Sequence, residues 1–516
     1  MRITISFLLV LIGLSYAQFV EAQRNNPVRV ELNANLDMED YNFVPCGDMG
    51  VLVFFESENK GSALDTRVWH FAFYNKDLQQ QWLSDTALID GAKFRGHVSD
   101  NNYTYLFFID SDRIRSSCNM QLVVVDYTVN IFKVIDLSVP EKAEPAEFGI
   151  INGKVVIPFN NNSYEPNISF IDLSTGTVNT ISPELEGLNI IQDLSVRTSG
   201  GDIYIIIDNY LGKKQNALMI LSLSAAGTIK QKLTINPSVE GKVLNEARLF
   251  QAGRDTLLVF GTYHGEPARL RSSAEETGPG SAGYFVARFI NNNQDIINYY
   301  NFLEFEEMFR SLSSKTVADL RRKAEKQKSR GAEYSLDYTL LLHNIIDYNK
   351  NYVLLSEAFY PEYRTVTNMY YDYYGRPIPQ TYTVFDGYKY ISGIAAAFTT
   401  SGELLWDNGI EMADIVTFNL DKYLGNFVDG DELAMFYSNE NKIFYKVIGK
   451  PEDGGPTQSI QLESKYKGDK VMEDLGSRMV HWYGNYFLCY GYQQIKNNRL
   501  PDSKRTIFFF SKLAFN

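Results

Sequence analysis

Eight short, mostly apolar segments recur along this chain, and a cluster of turn-forming residues precedes each one. The segments are 51–55, 105–109, 155–159, 203–207, 256–260, 352–356, 433–437 and 486–490. Asn152-Gly153 is typical of the turns that come before them. A tight turn followed by an apolar run of five residues predicts a β-hairpin that leads into a buried strand.

The spacing of these segments is close to regular. Their first residues lie 54, 50, 48, 53, 96, 81 and 53 positions apart. A period of about 50 residues in an all-β sequence predicts a propeller. The chain also has 34 Tyr and 33 Phe, which suit half-buried strands. We therefore predict an all-β fold: a β-propeller of eight four-stranded blades with a small helical insertion. Seven blades are the alternative.

A second hairpin follows most of these segments and has a common form. If the strands of a blade are called a, b, c and d, the apolar segment is strand b. The c–d hairpins include Phe170-Ile-Asp-Leu-Ser-Thr-Gly176-Thr-Val178 and Phe398-Thr-Thr-Ser-Gly402-Glu-Leu-Leu-Trp406. They resemble the blades of secreted bacterial propellers, including the quinoprotein-like type, whose c–d hairpin has an Asp-x-x-Thr-Gly-x-x-x-Trp pattern. The resemblance implies a fold and no particular activity.

The first residues have the composition of an export signal. Arg2 precedes an apolar run at 5–14, and Ala17 and Ala22 each end a small-residue cleavage pattern. So short a run cannot comfortably span ~30 Å of hydrocarbon. We predict a signal peptide at residues 1–22, no transmembrane segment, and an exported protein that is periplasmic or extracellular.

The remaining residues, 23–516, are predicted to form one propeller domain. The last repeat lacks a convincing strand d, whereas the alternating segment 28–32 has no blade of its own. We expect this segment to supply the missing strand and close the ring. Three cysteines, Cys46, Cys118 and Cys489, are too few for a disulfide framework. We expect buried thiols, with a Cys46–Cys489 bridge as the alternative.

Three insertions interrupt the repeat, at 265–282, 302–333 and 360–390. The first is polar, with Pro and Gly, and predicts a long loop. The second places Phe302, Phe305, Phe309 and Leu312 at helical spacing, followed by a helix start at Thr316 and a stop at Gly331. The third holds the densest tyrosine cluster of the chain. Since b–c turns and d–a links emerge at the same end of a blade, all three should lie on one face over blades five and six.

Two groups in these insertions are the binding candidates. Aromatic side chains with a hydrogen-bonding tip suit binding loops, and a basic helix on an acidic body suits an anionic partner. The candidates are Tyr370, Tyr371, Tyr373, Tyr374 and Arg376 in the third insertion, and Arg321, Arg322 and Lys323 in the second. The alternatives are a β-hairpin whose tyrosines stack on one another, and a solvated helix whose preceding phenylalanines pack on the propeller.

A further group falls on or near predicted inner strands, which line the central channel of a propeller. These channel-lining candidates are Arg95, Glu147, Arg197, Arg248 and Arg478. Several arginines in an acidic protein predict a channel for an anionic small molecule. The alternative is that acidic neighbours such as Glu246 neutralise them.

The sequence contains no recognised catalytic motif. HExxH, CxxC, GxSxG and P-loop patterns are missing, and the five histidines are scattered. We expect no metal and no cofactor, and the net charge of −13 argues against nucleic acid as a partner. The sequence favours an exported binding or scaffold protein, a monomer, whose loop-and-helix face binds protein, peptide or glycan. The alternative is a secreted hydrolase or lyase for glycan or peptide, with an unrecognised site at the channel mouth.

Overall fold

The computed structural model is built almost wholly of antiparallel β-sheets. It describes residues 28–35, 40–63, 65–100, 103–110, 120–127, 129, 131–137, 144–161, 165–197, 201–212, 215–239, 241–265, 280–310, 314–329, 335–336, 338–449, 455–499 and 503–515. The predicted signal peptide, Cys118 and most of the first insertion lie outside these ranges.

The first strands form sheets 1 to 4 in chain order. Strand β1 (Val28–Asn33) belongs to the last sheet. Sheet 1 has β2 (Asn42–Pro45), β3 (Val51–Lys60), β4 (Thr66–Tyr74) and β5 (Gln80–Ile89). Sheet 2 has β6 (Lys93–Asp100), β7 (Tyr103–Ile109), β8 (Met120–Asp126) and β9 (Ile131–Leu137). Sheet 3 has β10 (Glu144–Pro145), β11 (Gly149–Ile151), β12 (Lys154–Asn160), β13 (Asn167–Asp172) and β14 (Val178–Ile181). Sheet 4 has β15 (Leu188–Arg197), β16 (Asp202–Gly212), β17 (Gln215–Ser224) and β18 (Ile229–Thr234).

The later strands form sheets 5 to 8. Sheet 5 has β19 (Lys242–Gln251), β20 (Thr256–Gly265), β21 (Gly283–Ile290) and β22 (Asn293–Asn301). Sheet 6 has β23 (Thr339–Leu342), β24 (Ile346–Tyr348), β25 (Asn351–Tyr371), β26 (Pro377–Phe398), β27 (Leu404–Glu411) and β28 (Val416–Thr417). Sheet 7 has β29 (Gly425–Asp429), β30 (Glu432–Asn439), β31 (Lys442–Ile448) and β32 (Gln458–Gln461). Sheet 8 has β33 (Lys470–Asp474), β34 (Arg478–Tyr483), β35 (Tyr486–Lys496) and β36 (Lys504–Ala514).

The eight apolar segments are the central strands of these sheets. They lie in β3, β7, β12, β16, β20, β25, β30 and β35, each of which is paired on both sides. A strand enclosed by neighbours on both edges and both faces reads as a continuous apolar run, as found here. The turns before them also follow prediction: Asn152 and Gly153 have φ of 49° and 71°, as a tight two-residue hairpin requires.

The predicted pairing of the N-terminal segment with the last repeat is confirmed, while closure of a ring stays a prediction. Strand β1 pairs antiparallel with β36, from Val28 opposite Lys512 to Asn33 opposite Ile507. Sheet 8 therefore runs in the order β1, β36, β35, then β33 and β34, and it has the outer strand that the last repeat lacks. A sheet made from both ends of the chain is a typical device for protecting an exposed strand edge.

The fold class predicted from the sequence is confirmed, since the described residues form successive antiparallel sheets of the propeller type, many of them four-stranded, with little helix. The described residues form eight sheets, and the number of blades stays a prediction. The chain divides into two compact units, 1–235 with 440–444 and 459–516, and 236–439 with 445–458. In the first, successive sheets share apolar cores, such as Phe54 and Trp69 of sheet 1 with Phe108 of sheet 2.

In the second unit, one core joins sheets 5 and 6 and the helical insertion. It contains Phe260, Phe398 and the three buried phenylalanines of the insertion. The insertion differs from prediction at its start. Phe302 lies in a single 3₁₀ turn (Phe302–Glu304), and Phe305 ends that turn instead of continuing a helix. Helix α1 (Glu307–Arg310) is one turn long, and α2 (Ser314–Lys328) begins two residues before Thr316. Gly331 lies outside the described residues.

Candidate functional site

The most distinctive feature of the second unit is a hairpin that extends beyond its sheet. Strands β25 and β26 have 21 and 22 residues, whereas no other described strand has more than 11. On the outer sides, β23 pairs with β25 only as far as Phe359, and β28 pairs with β26 at Tyr388 and Lys389. Residues 361–387 therefore form a two-stranded ribbon about 35 Å long, which we call the projecting hairpin.

The projecting hairpin exposes apolar side chains on both faces. In the outer stretches 365–371 and 377–385 no residue is charged. Cross-strand partners share a face, so Tyr370 lies beside Ile378, and Tyr371 beside Pro377. The exposed fractions of the side chains reach 72% for Tyr371, 79% for Tyr374 and 97% for Tyr373. So large an uncharged and apolar area is unusual on a monomer and is typical of interaction surfaces.

The tip is a well-defined turn. The N–H of Asp372 donates to the carbonyl of Arg376 at 3.0 Å, and the Asp372 side chain accepts from the N–H groups of Tyr374 and Arg376. Gly375 has φ of 74°, which completes a three-residue loop in the left-handed region. The guanidinium of Arg376 lies 5.7 Å from the ring of Tyr374. The predicted tyrosines and Arg376 therefore lie together, on a turn that presents them to solvent.

A chain of aromatic contacts ties the base of the projecting hairpin to the sheet. Ring centroids are 5.7 Å apart for Tyr363 and Phe385, 5.0 Å for Phe385 and Tyr388, and 5.7 Å for Tyr388 and Phe359. Two ion pairs lie at the same level, Arg364 with Asp386 and Glu362 with Lys389. These contacts hold the hairpin at its base, so the exposed tip is carried on a supported ribbon.

The sheet beneath the hairpin contains an acidic side chain that is wholly buried. Glu357 of β25 accepts from the N–H groups of Tyr423 and Leu424, both at 2.9 Å, and its Oε1 lies 2.6 Å from His343 Nε2. Tyr390 donates to the carbonyl of Asp421, and burial raises the pKa of its phenol. Both residues fix the segment before β29 against the base of the hairpin, and this role is structural.

The basic helix is the second predicted candidate. Arg321, Arg322 and Lys323 are exposed, and Arg322 pairs with Asp319 at 3.0 Å. The opposite side of α2 packs Leu320 and Ala324 into the core. Asp407 of β27 anchors the preceding turn by accepting from the N–H groups of Glu306 and Met308, and burial raises the pKa of its carboxyl. Packing of the phenylalanine-rich segment is therefore confirmed.

Backbone contacts connect the end of the first insertion and the base of the third to residues 336–339, which follow the second insertion. Ser281, at the end of the first insertion, accepts from Leu336 at 2.8 Å, and its N–H donates to Tyr338 at 3.4 Å. Thr339, the next described strand residue, pairs with Phe359 at the base of the projecting hairpin. These contacts are in line with the predicted placement of the three insertions on one face, which stays a prediction.

The channel candidates are not shown to form one site. Arg95 lies in β6 and Arg478 in β34, while Glu147 lies between β10 and β11. Arg197 ends β15, and its side chain lies outside the described residues. Arg248 forms an ion pair with Glu246 at 2.7 Å, as the neutralised alternative proposed. A channel for an anion stays a prediction.

The first unit contains an acidic cavity that the sequence did not reveal. The cavity has a volume of about 730 Å³ and lies where the 440–441 turn meets the link between β32 and β33. Its lining includes Glu440, Glu463, Tyr466, Asp469, Glu473 and Asp474. Two of these carboxyl groups support the fold. Arg505 and Asn497 donate hydrogen bonds to Asp469, and these bonds hold the pKa of its carboxyl below the usual value. Asp474 accepts hydrogen bonds from Ser477 and from the N–H of Asn441.

The remaining features are the cysteines, the possible metal-binding groups and the helices. No disulfide joins Cys46 and Cys489, and both are buried; burial raises the pKa of the Cys46 thiol to about 12. Among the described residues, no group of three or more His, Cys, Asp or Glu side chains is arranged to hold a metal ion. Within the same ranges, no helix combines the length and apolar composition that crossing a bilayer requires.

Comparisons with known proteins give similarity at the level of the fold. No protein-family model and no curated protein matches the sequence. Among solved structures, the polysaccharide lyase Uly1 is 8% identical, covering 81% of this chain and 89% of its own, with a TM-score of 0.42. A PL25 ulvan lyase is 8% identical over 81% and 91%, with a TM-score of 0.41. The β-propeller domain of the Trilobed protease from Pyrococcus furiosus is 9% identical over 83% and 98%, with a TM-score of 0.36.

Proposed function

We propose that this protein is an exported binding protein that engages a partner protein through the projecting hairpin. The observation that supports the proposal is the aromatic tip of a supported ribbon whose outer stretches, 365–371 and 377–385, carry no charge. Tyrosine offers a large contact area and a hydrogen-bonding hydroxyl, and it loses little side-chain entropy on binding because it has few rotatable bonds. The nearest charges in the tip are Asp372 and Arg376, of opposite sign, so the surface suits an uncharged patch on the partner.

The experiment shortens the hairpin without disturbing its sheet. Replacing residues 365–383 by Asn-Gly joins Arg364 to Val384, which face each other across the ribbon, through a two-residue turn of the favoured type. Full-length protein and the shortened variant are each used to capture partners from an envelope extract. We expect the captured partner to be lost with the shortened variant, while its thermal unfolding is unchanged.

A matched control removes exposed apolar side chains elsewhere. Leu83, Leu405 and Met472 are 62%, 47% and 62% exposed, and their replacement by serine should leave capture intact. If both variants lose the partner, general surface hydrophobicity is responsible and the proposal fails. Once a partner is identified, Tyr371→Ser, Tyr373→Ser and Tyr374→Ser should each weaken its binding by about tenfold, as contact tyrosines do. If free sugars compete with the captured partner for the hairpin, the ligand is a glycan instead of a protein surface.

A second candidate function is the hydrolase or lyase. One observation favours it: the acidic cavity holds Glu440, Glu463 and Glu473 beside Tyr466, and paired carboxyl groups perform acid–base chemistry on glycans. The test is hydrolysis or elimination on a panel of anionic and neutral polysaccharides and peptides. Glu463→Gln and Glu473→Gln should abolish any activity found, while the shortened hairpin retains it. Activity that survives both substitutions would exclude this cavity.

A further inference from the structure

The two edges of the projecting hairpin are both open. On the outer side of β25, no described strand pairs with it beyond Phe359. On the outer side of β26, none pairs with it between Pro377 and Gly387. An open strand edge presents unpaired N–H and C=O groups and is a template for another strand. The question is which of these two edges is able to accept one.

The tip turn determines which backbone groups point outward. The hydrogen bond from Asp372 to Arg376 makes these two residues a hydrogen-bonded pair. Antiparallel pairs alternate between hydrogen-bonded and non-hydrogen-bonded, and residues of the second kind direct their N–H and C=O away from the partner strand. Outward groups therefore belong to residues 363, 365, 367, 369 and 371 of β25, and to 377, 379, 381, 383 and 385 of β26. The close approach of the Thr367 and Thr381 hydroxyls, 3.2 Å, fits a non-hydrogen-bonded pair.

Proline makes the two edges different. Pro377 and Pro379 both occupy outward positions of β26, where the missing N–H costs the ribbon nothing but removes two donors from its edge. Residues 363–371 contain no proline and, apart from Arg364, no charge. Charge, proline and bulges are the usual protections of a strand edge. The edge of β26 is therefore blocked, and the edge of β25 is open.

We propose that the edge of β25, residues 363–371, pairs with the same edge of a second copy of this chain. In an antiparallel arrangement centred on Thr367, Thr367 faces its own copy, Thr365 faces Met369, and Tyr363 faces Tyr371. The edge is thus complementary to itself. Five outward residues on each strand exchange about ten backbone hydrogen bonds, which matches a typical interface. Threonine pairs and aromatic pairs across the new junction add to this.

The proline-bearing edge also explains why such an assembly stops at two copies. The joined ribbons form a four-stranded sheet whose outer edges are both β26, and β26 is blocked. A self-complementary contact with no remaining open edge gives a closed dimer rather than a filament. Each copy has a net charge of −13, but within residues 363–371 the only charged side chain is Arg364, which would face Tyr370 of the second copy, so the paired positions bring no like charges together. This inference departs from the monomer favoured by the sequence, and it does not depend on the partner protein proposed above.

The experiment compares two substitutions at the same depth of the ribbon. Thr367 and Thr381 are cross-strand partners of the same type, on opposite edges. Thr367→Pro removes an outward N–H from the open edge, and Thr381→Pro removes one from the blocked edge. Sedimentation equilibrium of the full chain over a concentration series measures the dimer constant. We expect Thr367→Pro to weaken the dimer by about tenfold or more, from lost hydrogen bonds and the obstructing ring, and Thr381→Pro to change it by less than about twofold.

Cross-linking fixes the register. Thr367→Cys should form a disulfide-linked dimer under mild oxidation, because two copies of residue 367 face each other at the centre, whereas Thr381→Cys should not. A wild-type chain that is monomeric at every concentration, or equal effects of the two proline substitutions, overturns the proposal. A foreign polypeptide that binds wild type but not Thr367→Pro, with no wild-type dimer, overturns it in favour of strand addition by a partner. Retained partner capture by a monomeric Thr367→Pro variant would separate this dimer from the proposed function.

Discussion

Strands β25 and β26 each have a buried inner half and an exposed outer half. The inner halves, 351–359 and 390–398, are mostly buried, with Leu354 and Phe398 fully enclosed. The outer halves belong to the projecting hairpin and are mostly exposed on both faces. Backbone pairing is continuous through both, with bulges after Ala358 and Glu362. The comparison teaches that one regular hairpin supplies stability at one end and a surface for recognition at the other.

The largest expected effect comes from truncating one aromatic ring in each half. Phe398 lies within ring-contact distance of Phe260 and Tyr300, so Phe398→Ala should lower the free energy of unfolding by about 3 to 5 kcal/mol. Tyr373→Ala, at a side chain that is 97% exposed, should change it by less than about 0.5 kcal/mol. Chemical denaturation measures both. Similar losses at the two sites would break the comparison.

Two glutamates on β25, one in each half of the strand, allow the same comparison with a single residue type. Glu357→Ala leaves His343 and the N–H groups of Tyr423 and Leu424 without their buried acceptor, and should cost about 3 kcal/mol. Glu362→Ala removes an exposed ion pair with Lys389, 3.7 Å apart, and should cost less than about 1 kcal/mol. Hydrogen exchange at Tyr423 and Leu424 should accelerate only in the first variant. Unchanged exchange there would contradict the anchoring role of Glu357.

Alkaline pH should act on the inner half. Burial raises the pKa of Tyr390 above that of a tyrosine in the unfolded chain, which is about 10. The folded state then keeps a proton that the unfolded state loses, so stability falls as pH rises above about 10, by at most about 1.4 kcal/mol per pH unit for this group. Tyr390→Phe should make the fall of unfolding free energy with pH less steep. A slope identical to that of wild type would show that Tyr390 does not titrate with unfolding.

The smallest effect is expected at the tip. Gly375 has φ of 74°, and a Cβ there would meet no atom within 4 Å. Gly375→Ala should therefore strain only the backbone, by about 1 kcal/mol. We expect the tip to open independently of the core, so that the free energy of global unfolding changes by less than about 0.5 kcal/mol while exchange at the Asp372 and Gly375 amides accelerates. A loss of global stability as large as the strain would show that the two halves unfold together.

The inner half was predictable and the outer half only in part. The mostly apolar run at 352–356 predicts a buried strand because it is short, follows a turn and recurs with the period of the other seven segments. For the outer segments the sequence is consistent with either a binding loop or a β-hairpin, because tyrosines dominate the pattern there. A stronger signal was present in Thr365-Val366-Thr367 and Thr381-Tyr382-Thr383-Val384, whose β-branched alternation favours strands, with Gly375 between them.

The acidic cavity shows a different kind of limit. Glu463 lies in the link between β32 and β33, and Glu473 lies in β33; in sequence this link and strand have the composition of a solvated, charged stretch. They line a cavity only because the turn at Glu440 and Asn441 folds against that link. Asn441 is in turn positioned by Gln493, more than fifty residues away along the chain. A site assembled from three separate segments depends on sheet packing, and local sequence patterns do not record it.

The pairing of β1 with β36 has a consequence for the order of folding. Sheets 1 to 7 are each built from strands that follow one another along the chain, so their strands pair at short separations in sequence and should form early. Sheet 8 is different, because Val28 meets Lys512 only after nearly the whole chain has been made. Residues 28–33 are the first of the described strands to leave the ribosome and the last to find a partner. Until then β1 is unpaired and β36 is paired on one side only, with β35, and the slowest step of folding should be the meeting of the two ends.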